Sequence, residues 1–390
     1  MRANERLIPR RRFKEFVNSD AWEQRKWSET VNISTEMVDP RCGDYDNLPH
    51  VAPGNIESFT GQLYDNVKSV KEENLISGKF RFRESDVIYG KINPQLGKYV
   101  FATFEGLTSA DAYVLNAKNN LNQKFLFALL QTNDFFNYSV SVSKRSGMPK
   151  INRSELNAYS FYTPLIDEQD RIGSMFLKID NLITLHQRKL EKMNDLKSAY
   201  LSEMFPAEGD CKPKRRFAGF TDDWEQRELG EITSYESSSY SVNQFNNKEP
   251  NGEYPLFDAN NLVTLMNKYD QEEKYISIIK DGAGVGRVQL RQSKSSIIGT
   301  MGYIINKDSD LDFIFYIFQK LNIFPYITGS TIPHIYYKDY SKENLLVPSL
   351  SEQKHISRFF KKIDTLITLH QRKLEKLKNI KKAYLNEMFI

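Results

Sequence analysis

The chain has 390 residues, with 54 Lys plus Arg against 50 Asp plus Glu and a formal net charge of only +4. That length predicts more than one domain, and so small a net charge means that any basic surface is local. Cys42 and Cys211 are isolated thiols without CxxC spacing, which suggests neither a disulfide framework nor a zinc site and points to a reducing compartment.

The N-terminus carries Arg2, Arg6, Arg10, Arg11 and Arg12 with no apolar core behind them, so it does not read as a signal peptide. No run of eighteen apolar residues follows anywhere. A soluble, cytoplasmic protein is expected. Its 25 Phe and 21 Tyr suit packed β-rich cores.

A lead-in segment comes first: Pro9, Arg11, Arg12, Phe13 and Phe16, then Trp22-Glu23-Gln24-Arg25. A first globular unit follows, within residues 1–163. Lys79-Phe80-Arg81-Phe82-Arg83, Asp86-Val87-Ile88-Tyr89 and Tyr99-Val100-Phe101-Ala102 read as short strands, punctuated by Gly90, Pro94 and Gly97. One helix is predicted near Gln123 to Gln131. The unit closes on Gly147-Met148-Pro149-Lys150-Ile151.

Residues 164–206 then read as one long helix. Ile172, Ile179, His186, Met193 and Tyr200 recur every seven residues, with Phe176, Ile183, Leu190 and Met204 on the same face and charged residues opposite. Within it lies LITLHQRKLEK, Leu182 to Lys192, which returns letter for letter at Leu366 to Lys376, 184 residues later. The chain is a tandem duplication.

The second half repeats the plan. A linker with Pro206, Gly209 and Pro213 leads into residues 207–347, and the lead-in returns as Pro213, Arg215, Arg216, Phe217 and Phe220, then Trp224-Glu225-Gln226-Arg227. Its globular unit has diverged strongly. Lys274 to Ile279 reads as a strand leading into the glycine loop Asp281-Gly282-Ala283-Gly284-Val285-Gly286. Further strands at Arg287 to Arg291 and Ser296 to Ile298 follow, then a helix near Leu311 to Leu321. Pro149 and Ile151 match the closing Pro333 and Ile335 at the same spacing of 184. Residues 348–390 form the second long helix, with Ile356, Ile363, His370, Leu377 and Tyr384 in its stripe.

A helix of about 39 residues is about 58 Å long, and a stripe of that length needs a partner. The second globular unit sits near the end of helix one and the start of helix two, so the helices must pair antiparallel. The expected fold class is α+β: two mixed, β-rich globular units joined by two long antiparallel helices as a coiled-coil spacer, circularly arranged with an approximate two-fold axis. The final helix should end near the start of the chain. His186 and His370 stand at the helix midpoints, where antiparallel partners meet. They either face each other as a polar layer that fixes register, or stay half-exposed beside Gln187 and Gln371.

Catalytic signatures are missing. The position three after Gly284 is Arg287, so GxGxxG fails, and no GK[ST] follows. Asn93-Pro94-Gln95-Leu96 lacks the second proline and the aromatic of an NPPY-type motif. The five histidines give no HExxH and no metal set. What remains are basic residues on glycine-punctuated strands and loops: Arg81, Arg83, Lys91, Lys98, Lys144, Arg145 and Lys150 in the first unit, and Lys280, Arg287, Arg291, Lys294, His334 and Lys338 in the second. Singly each fits a solvated strand face; together they fit phosphate positioning with base-edge readout, Lys91 and Arg287 foremost. Helices kept nearly identical beside globular units that have drifted suggest one shared socket and two different readers.

The lead-ins, the P-x-x-x-E-Q turns (Pro164 to Gln169, Pro348 to Gln353) and the twin LITLHQRKLEK helices together resemble the specificity subunit of type I restriction-modification systems, over essentially the whole chain. The first lead-in departs slightly, with Ala21 before its tryptophan and Lys26-Trp27 after its arginine. The resemblance implies two target-recognition domains, each reading half of a split, asymmetric DNA site, and helices that act as a ruler and dock two methyltransferase (modification) subunits. It implies two restriction/translocase subunits in the full complex, and places S-adenosylmethionine, ATP and Mg in partner chains, with no cofactor in this one. Half-sites about one helical turn apart, roughly 34 Å, suit two such heads. The competing readings are an autonomous DNA-binding regulator, which would bind DNA tightly alone, and a self-contained methyltransferase or nuclease, which would turn over cofactor alone.

Overall fold

A computed structural model describes residues 7–144, 147–207, 209–241, 244 and 252–390. The chain packs as two compact units: residues up to Lys189 together with His370–Ile390, and Leu190–Leu369. Each unit thus owns the start of one long helix and the end of the other.

The first unit is built on an antiparallel sheet of β1 (Val31–Ile33), β2 (Val87–Gly90), β3 (Tyr99–Phe101) and β4 (Ala112–Ala117), in the order β1-β4-β2-β3. Successive side chains of a strand point to opposite faces. Along β2, Val87 and Tyr89 enter a core shared with the helices, while Ile88 enters a second core with Val51, Phe82 and Val100. Both faces of the strand are therefore covered, which explains its uninterrupted apolar run. The second core belongs to a five-stranded sheet that includes Lys79–Phe82, Gly106–Thr108 and Pro49–Val51.

The predicted helix appears as α1 (Gln123–Leu129), whose Asn122 side chain accepts from the Lys124 and Phe125 amides. A second helix, α2 (Asn133–Ser143), follows it unforeseen. Its sequence NDFFNYSVSVS has weak helix formers throughout. Burial of Phe135 and a cap from Thr132 to the Phe135 amide hold it instead.

The long helices are α3 (Ile166–Glu203) and, in the second half, α5 (Leu350–Met388), each end two or three residues inside the expected bounds. Ile172 and Phe176 of α3 bury against α1, and a Cβ on Gly173 would lie 2.5 Å from the Phe125 backbone nitrogen. Only glycine admits so close a crossing. Inside the first unit, the end of α5 runs antiparallel to the start of α3: Lys381 meets Asp180 at 2.6 Å and Phe389 packs on Phe176. The Arg11 amide donates to the Glu387 carbonyl at 2.8 Å, so the last helix ends beside the lead-in, as expected.

The second unit repeats this frame. Its sheet is β5 (Thr233–Ser237), β6 (Tyr275–Ile279), β7 (Val288–Arg291) and β8 (Met301–Asn306), in the order β5-β8-β6-β7, with α4 (Leu311–Lys320) packed on it. Ile276 and Ile278 face the helices, whereas Tyr275 and Ile279 face a second core. The start of α5 runs antiparallel to the end of α3, with Lys197 on Asp364 at 2.7 Å and Tyr200 on Phe359.

The duplicated motifs have one job each. Lead-in strand Glu23–Lys26 pairs with Ser160–Thr163, and Glu225–Glu228 pairs with Asn344–Val347. Trp22 stands edge-on to Phe125 and Phe389, as Trp224 does to Phe313 and Phe205. The glutamate of each P-x-x-x-E-Q turn takes a two-point arginine contact: Arg12 on Glu168, both bonds 2.7 Å, and Arg216 on Glu352 at 2.7 and 2.8 Å. The glutamine folds back on its proline carbonyl and accepts an amide from the turn before a helix, Gln169 from Asn122 and Gln353 from Asp310.

Candidate nucleic-acid interface

In each unit the loop leaving the central strand carries a basic residue at both stems. In the first, Lys91–Lys98 joins β2 to β3, closed by the Gly90 amide on the Lys98 carbonyl at 2.8 Å. In the second, Lys280–Arg287 joins β6 to β7, closed by the Ile279 amide on the Arg287 carbonyl at 3.0 Å. Both loops hold eight residues and turn through a left-handed glycine just before the last, Gly97 at φ +55° and Gly286 at φ +85°. A Cβ there would strike Phe59 in one and Ile323 in the other.

The segment that closes each unit clamps its loop identically. Ile151 donates to the Lys91 carbonyl at 3.0 Å and Asn93 to the Pro149 carbonyl at 2.8 Å. Ile335 donates to the Lys280 carbonyl at 2.9 Å and Gly282 to the Pro333 carbonyl at 2.8 Å. The Pro149/Pro333 and Ile151/Ile335 matches are the anchor points of this clamp. Lys91 thereby corresponds to Lys280 and Lys98 to Arg287, an equivalence the sequence reading missed.

The stem cations are poised differently. Lys91 Nζ lies 5.4 Å over the Tyr113 ring and Lys98 Nζ 5.6 Å over Tyr64 while donating to the Ile56 carbonyl. Aromatic faces hold these ammonium groups without neutralising them. Lys280 Nζ is 3.9 Å from Asp281. Arg287 is exposed and braced on the Ala259 carbonyl at 2.8 Å and Asn260 Oδ1 at 2.6 Å, both neutral groups. Exposed Lys144 ends α2, and Lys150 bridges to Ile92 of the loop. In the second unit His334 bridges to Asp281, and Lys338 lies 5.3 Å over exposed Tyr336. Arg145 lies outside the described residues.

Other sites expected at this surface sit elsewhere. Arg81 pairs with Glu105, and Arg83 holds Glu36 through two bonds of 2.8 and 3.0 Å; that contact depresses the Glu36 carboxyl below its usual range. Arg81 lies in the second sheet and Arg83 directly follows its strand, and both are charge-paired there. Arg291 is 8% exposed, donating to Ser277 Oγ and the Asp258 carbonyl, and burial lowers its pKa. It opposes Tyr275, at the far end of β7 from the loop. Lys294 sits beyond it with φ +54°, 3.7 Å from Glu272.

The His186 and His370 rings meet within the first unit, Nδ1 to Nδ1 at 2.9 Å. One Nδ1 must carry a proton and the other must not. Burial, then His370, Lys373 and Lys189, lower the His186 pKa. Among the described residues no three His, Cys, Asp or Glu gather as a metal set, and no helix is long and apolar enough to cross a membrane. Cys42 and Cys211 are exposed free thiols.

Comparison with known proteins gives the frame a lineage. A family model described as the type I restriction modification DNA specificity domain matches residues 21–195 and again 221–379. The chain is 31% identical over 191 residues to the type I restriction enzyme EcoDI specificity subunit of Escherichia coli, a match spanning 48% of this chain and 42% of that one, less than half of the relative's length. It is 26% identical over 355 residues to the putative type I restriction enzyme MjaX specificity subunit of Methanocaldococcus jannaschii, covering 82% of this chain and 80% of that one. In structure it resembles a type I restriction-modification system S subunit from M. genitalium, with a TM-score of 0.71, 14% identity, and 98% and 99% of the two chains covered.

Proposed function

We propose a function from one premise: the chain belongs to the type I restriction modification DNA specificity family, whose model matches both of its halves. It is the non-catalytic, sequence-reading subunit of a restriction-modification complex. Each unit presents its clamped loop to one part of a split DNA site. The observation that carries this is one eight-residue loop frame occurring twice, with basic stems in both and different residues between them. Basic stems grip phosphate, which positions without reading; the residues between meet base edges, which specify. Since those residues differ, the two half-sites differ and the site is asymmetric.

The DNA-facing set is Lys91, Lys98, Lys144 and Lys150 with Lys280, Arg287, His334 and Lys338. Arg81, Arg83, Arg291 and Lys294 fall away from it: the first two are paired with Glu105 and Glu36, Arg291 is buried, and Lys294 lies past the end of β7 that is far from the loop. The long helices serve the partners. Leu182 and Leu185 of α3 are exposed, and so are Leu366 and Leu369 at the same places of α5. Two copies of one apolar, basic-flanked face fit two copies of one partner, the methyltransferase subunits. Methyl transfer, with S-adenosylmethionine, and ATP-driven translocation and cleavage, with Mg²⁺, belong to those and to two restriction/translocase subunits. The protein acts in the cytoplasm, where the DNA is.

Modification mapping of genomic DNA tests this. Cells with the chain and its methyltransferase partner should modify a two-part, asymmetric motif that vanishes when the chain is deleted. A continuous or palindromic motif, or one that survives the deletion, overturns the reading. Purification of the chain should recover the methyltransferase in twofold excess; tight DNA binding by the chain alone, with no such partner, would favour an autonomous regulator.

A further inference from the structure

The two loops share a frame but not a tip. Between the stems the second unit has Asp-Gly-Ala-Gly-Val-Gly, with left-handed Gly282, Gly284 and Gly286, and no side-chain amide. The first has Ile-Asn-Pro-Gln-Leu-Gly. Here Pro94 is buried and starts a single 3-10 turn, Pro94–Leu96, closed by the Leu96 amide on the Asn93 carbonyl and the Gly97 amide on the Pro94 carbonyl, both 2.9 Å. Asn93 sits at φ +49°, a left-handed conformation that asparagine tolerates better than most side chains. Packing of Phe59 on Phe136 and against Gly97 backs the turn.

Gln95 stands exposed at the tip of this rigid turn, its Nε2 donating to Asn93 Oδ1 at 3.2 Å. The brace uses one Nε2 hydrogen. A second hydrogen and Oε1 remain, a donor and an acceptor on the same planar amide. A donor beside an acceptor matches adenine in the major groove, whose N7 accepts and whose N6 amino group donates. Guanine offers two acceptors there and turns one against Oε1. Among the described residues the brace is the one hydrogen bond recorded for the Gln95 side chain.

We propose that Gln95, braced by Asn93, is a specificity-determining residue that reads an adenine in the half-site bound by the first unit. This rests on the DNA-reading function above. The second unit's glycine loop has no side-chain amide and meets its own half-site with different residues. The Asn93-Pro94-Gln95-Leu96 stretch, which lacks the second proline and the aromatic of an NPPY-type motif, thus acquires a role as a reading head.

The test is modification mapping in cells carrying the complete complex with wild-type chain, Gln95→Ala, Gln95→Glu or Asn93→Gly. Gln95→Ala should relax one adenine of one half-site by about 5- to 150-fold, the range for losing a bidentate base contact, with every other letter intact. Gln95→Glu loses the donor to N7 and should shift that position toward cytosine, whose N4 donates. Asn93→Gly keeps the left-handed backbone, removes the brace, and should blunt the same position. Unchanged letters in Gln95→Ala, with modification levels also unchanged, overturn the proposal while leaving the DNA-reading function standing. A wild-type chain that directs no split motif overturns that function itself.

Discussion

The two units agree where they hold themselves together and disagree where they face outward. Arg12 on Glu168 has its counterpart in Arg216 on Glu352, Arg11 on Glu387 in Arg215 on Glu203, Lys381 on Asp180 in Lys197 on Asp364. The loop frames agree down to two clamp hydrogen bonds, yet the residues between their stems share nothing but the left-handed glycine. Framework contacts are interdependent, since an arginine can change only if its buried glutamate changes too. Loop tips touch little of their own chain, so each can vary freely. A duplicated gene is thereby able to keep one scaffold while its two outward loops diverge.

Breaking the scaffold contacts should give the largest effects. The Arg12 and Glu168 side chains are 4% and 1% exposed; Arg216 and Glu352 are 15% and 1%. Removing one partner of a buried ion pair leaves the other charged and unsolvated, at about 3–5 kcal/mol. Urea unfolding of Arg12→Ala should show a loss at the upper end of that range. Arg216→Ala should lose less, because water reaches the vacated place more readily. Equal, small losses for both would mean that the matched pairs are decorative and that the shared frame is held by its aromatic core alone.

This division also governs what the sequence could reveal. Scaffold residues were legible because the chain supplies its own comparison: a fixed spacing of 184 residues finds the helices, the P-x-x-x-E-Q turns and the clamp anchors Pro149 and Pro333. The loops escaped because Lys91 and Lys280 are 189 residues apart, so the spacing that finds the scaffold slides past them. Arg81 and Arg83 read as available cations because Glu36 and Glu105, which neutralise them, are distant in sequence. Arg291 ends the run Val-Gln-Leu-Arg, and no local pattern tells that its side chain turns inward onto Ser277 and over Phe257 at 4.5 Å. Helix α2 was overlooked because packing, against propensity, makes it.

The stems offer a sharper version of the comparison. Lys98 and Arg287 end equivalent loops, but Lys98 Nζ is tied to the Ile56 carbonyl beside Tyr64, whereas Arg287 is exposed on neutral braces. If both grip phosphate, Lys98→Gln and Arg287→Gln should each weaken DNA binding by the complex for all sequences alike, lowering the slope of log affinity against log salt by about 1. Letters of the modified motif should not change. Arg287→Gln should be the more damaging, since a guanidinium can contact phosphate through two bonds at once. A change of letters instead would move Arg287 from positioning to reading, and the two stems would no longer be equivalent in use.

The smallest expected effect concerns the place where the two copies meet as identical residues. His186 and His370 share one proton-bearing contact at 2.9 Å, and the His186 pKa lies below its ordinary value through burial first, then His370, Lys373 and Lys189. With the folded pKa lowered, the unfolded chain binds the proton first as pH falls. Stability is therefore complete above about pH 7.5 and declines as pH drops through the unfolded value near 6.5, until the folded histidine also protonates. His50 shifts in the same direction through burial and adds to the slope, so the difference between proteins is the informative quantity. Thermal melts at pH 7.5 and 5.5 should show a smaller drop for His370→Asn than for wild type, because one repelling neighbour is gone while burial of His186 persists. An identical drop in both would show that His370 does not influence the His186 proton, and that at this point the copies merely pass each other.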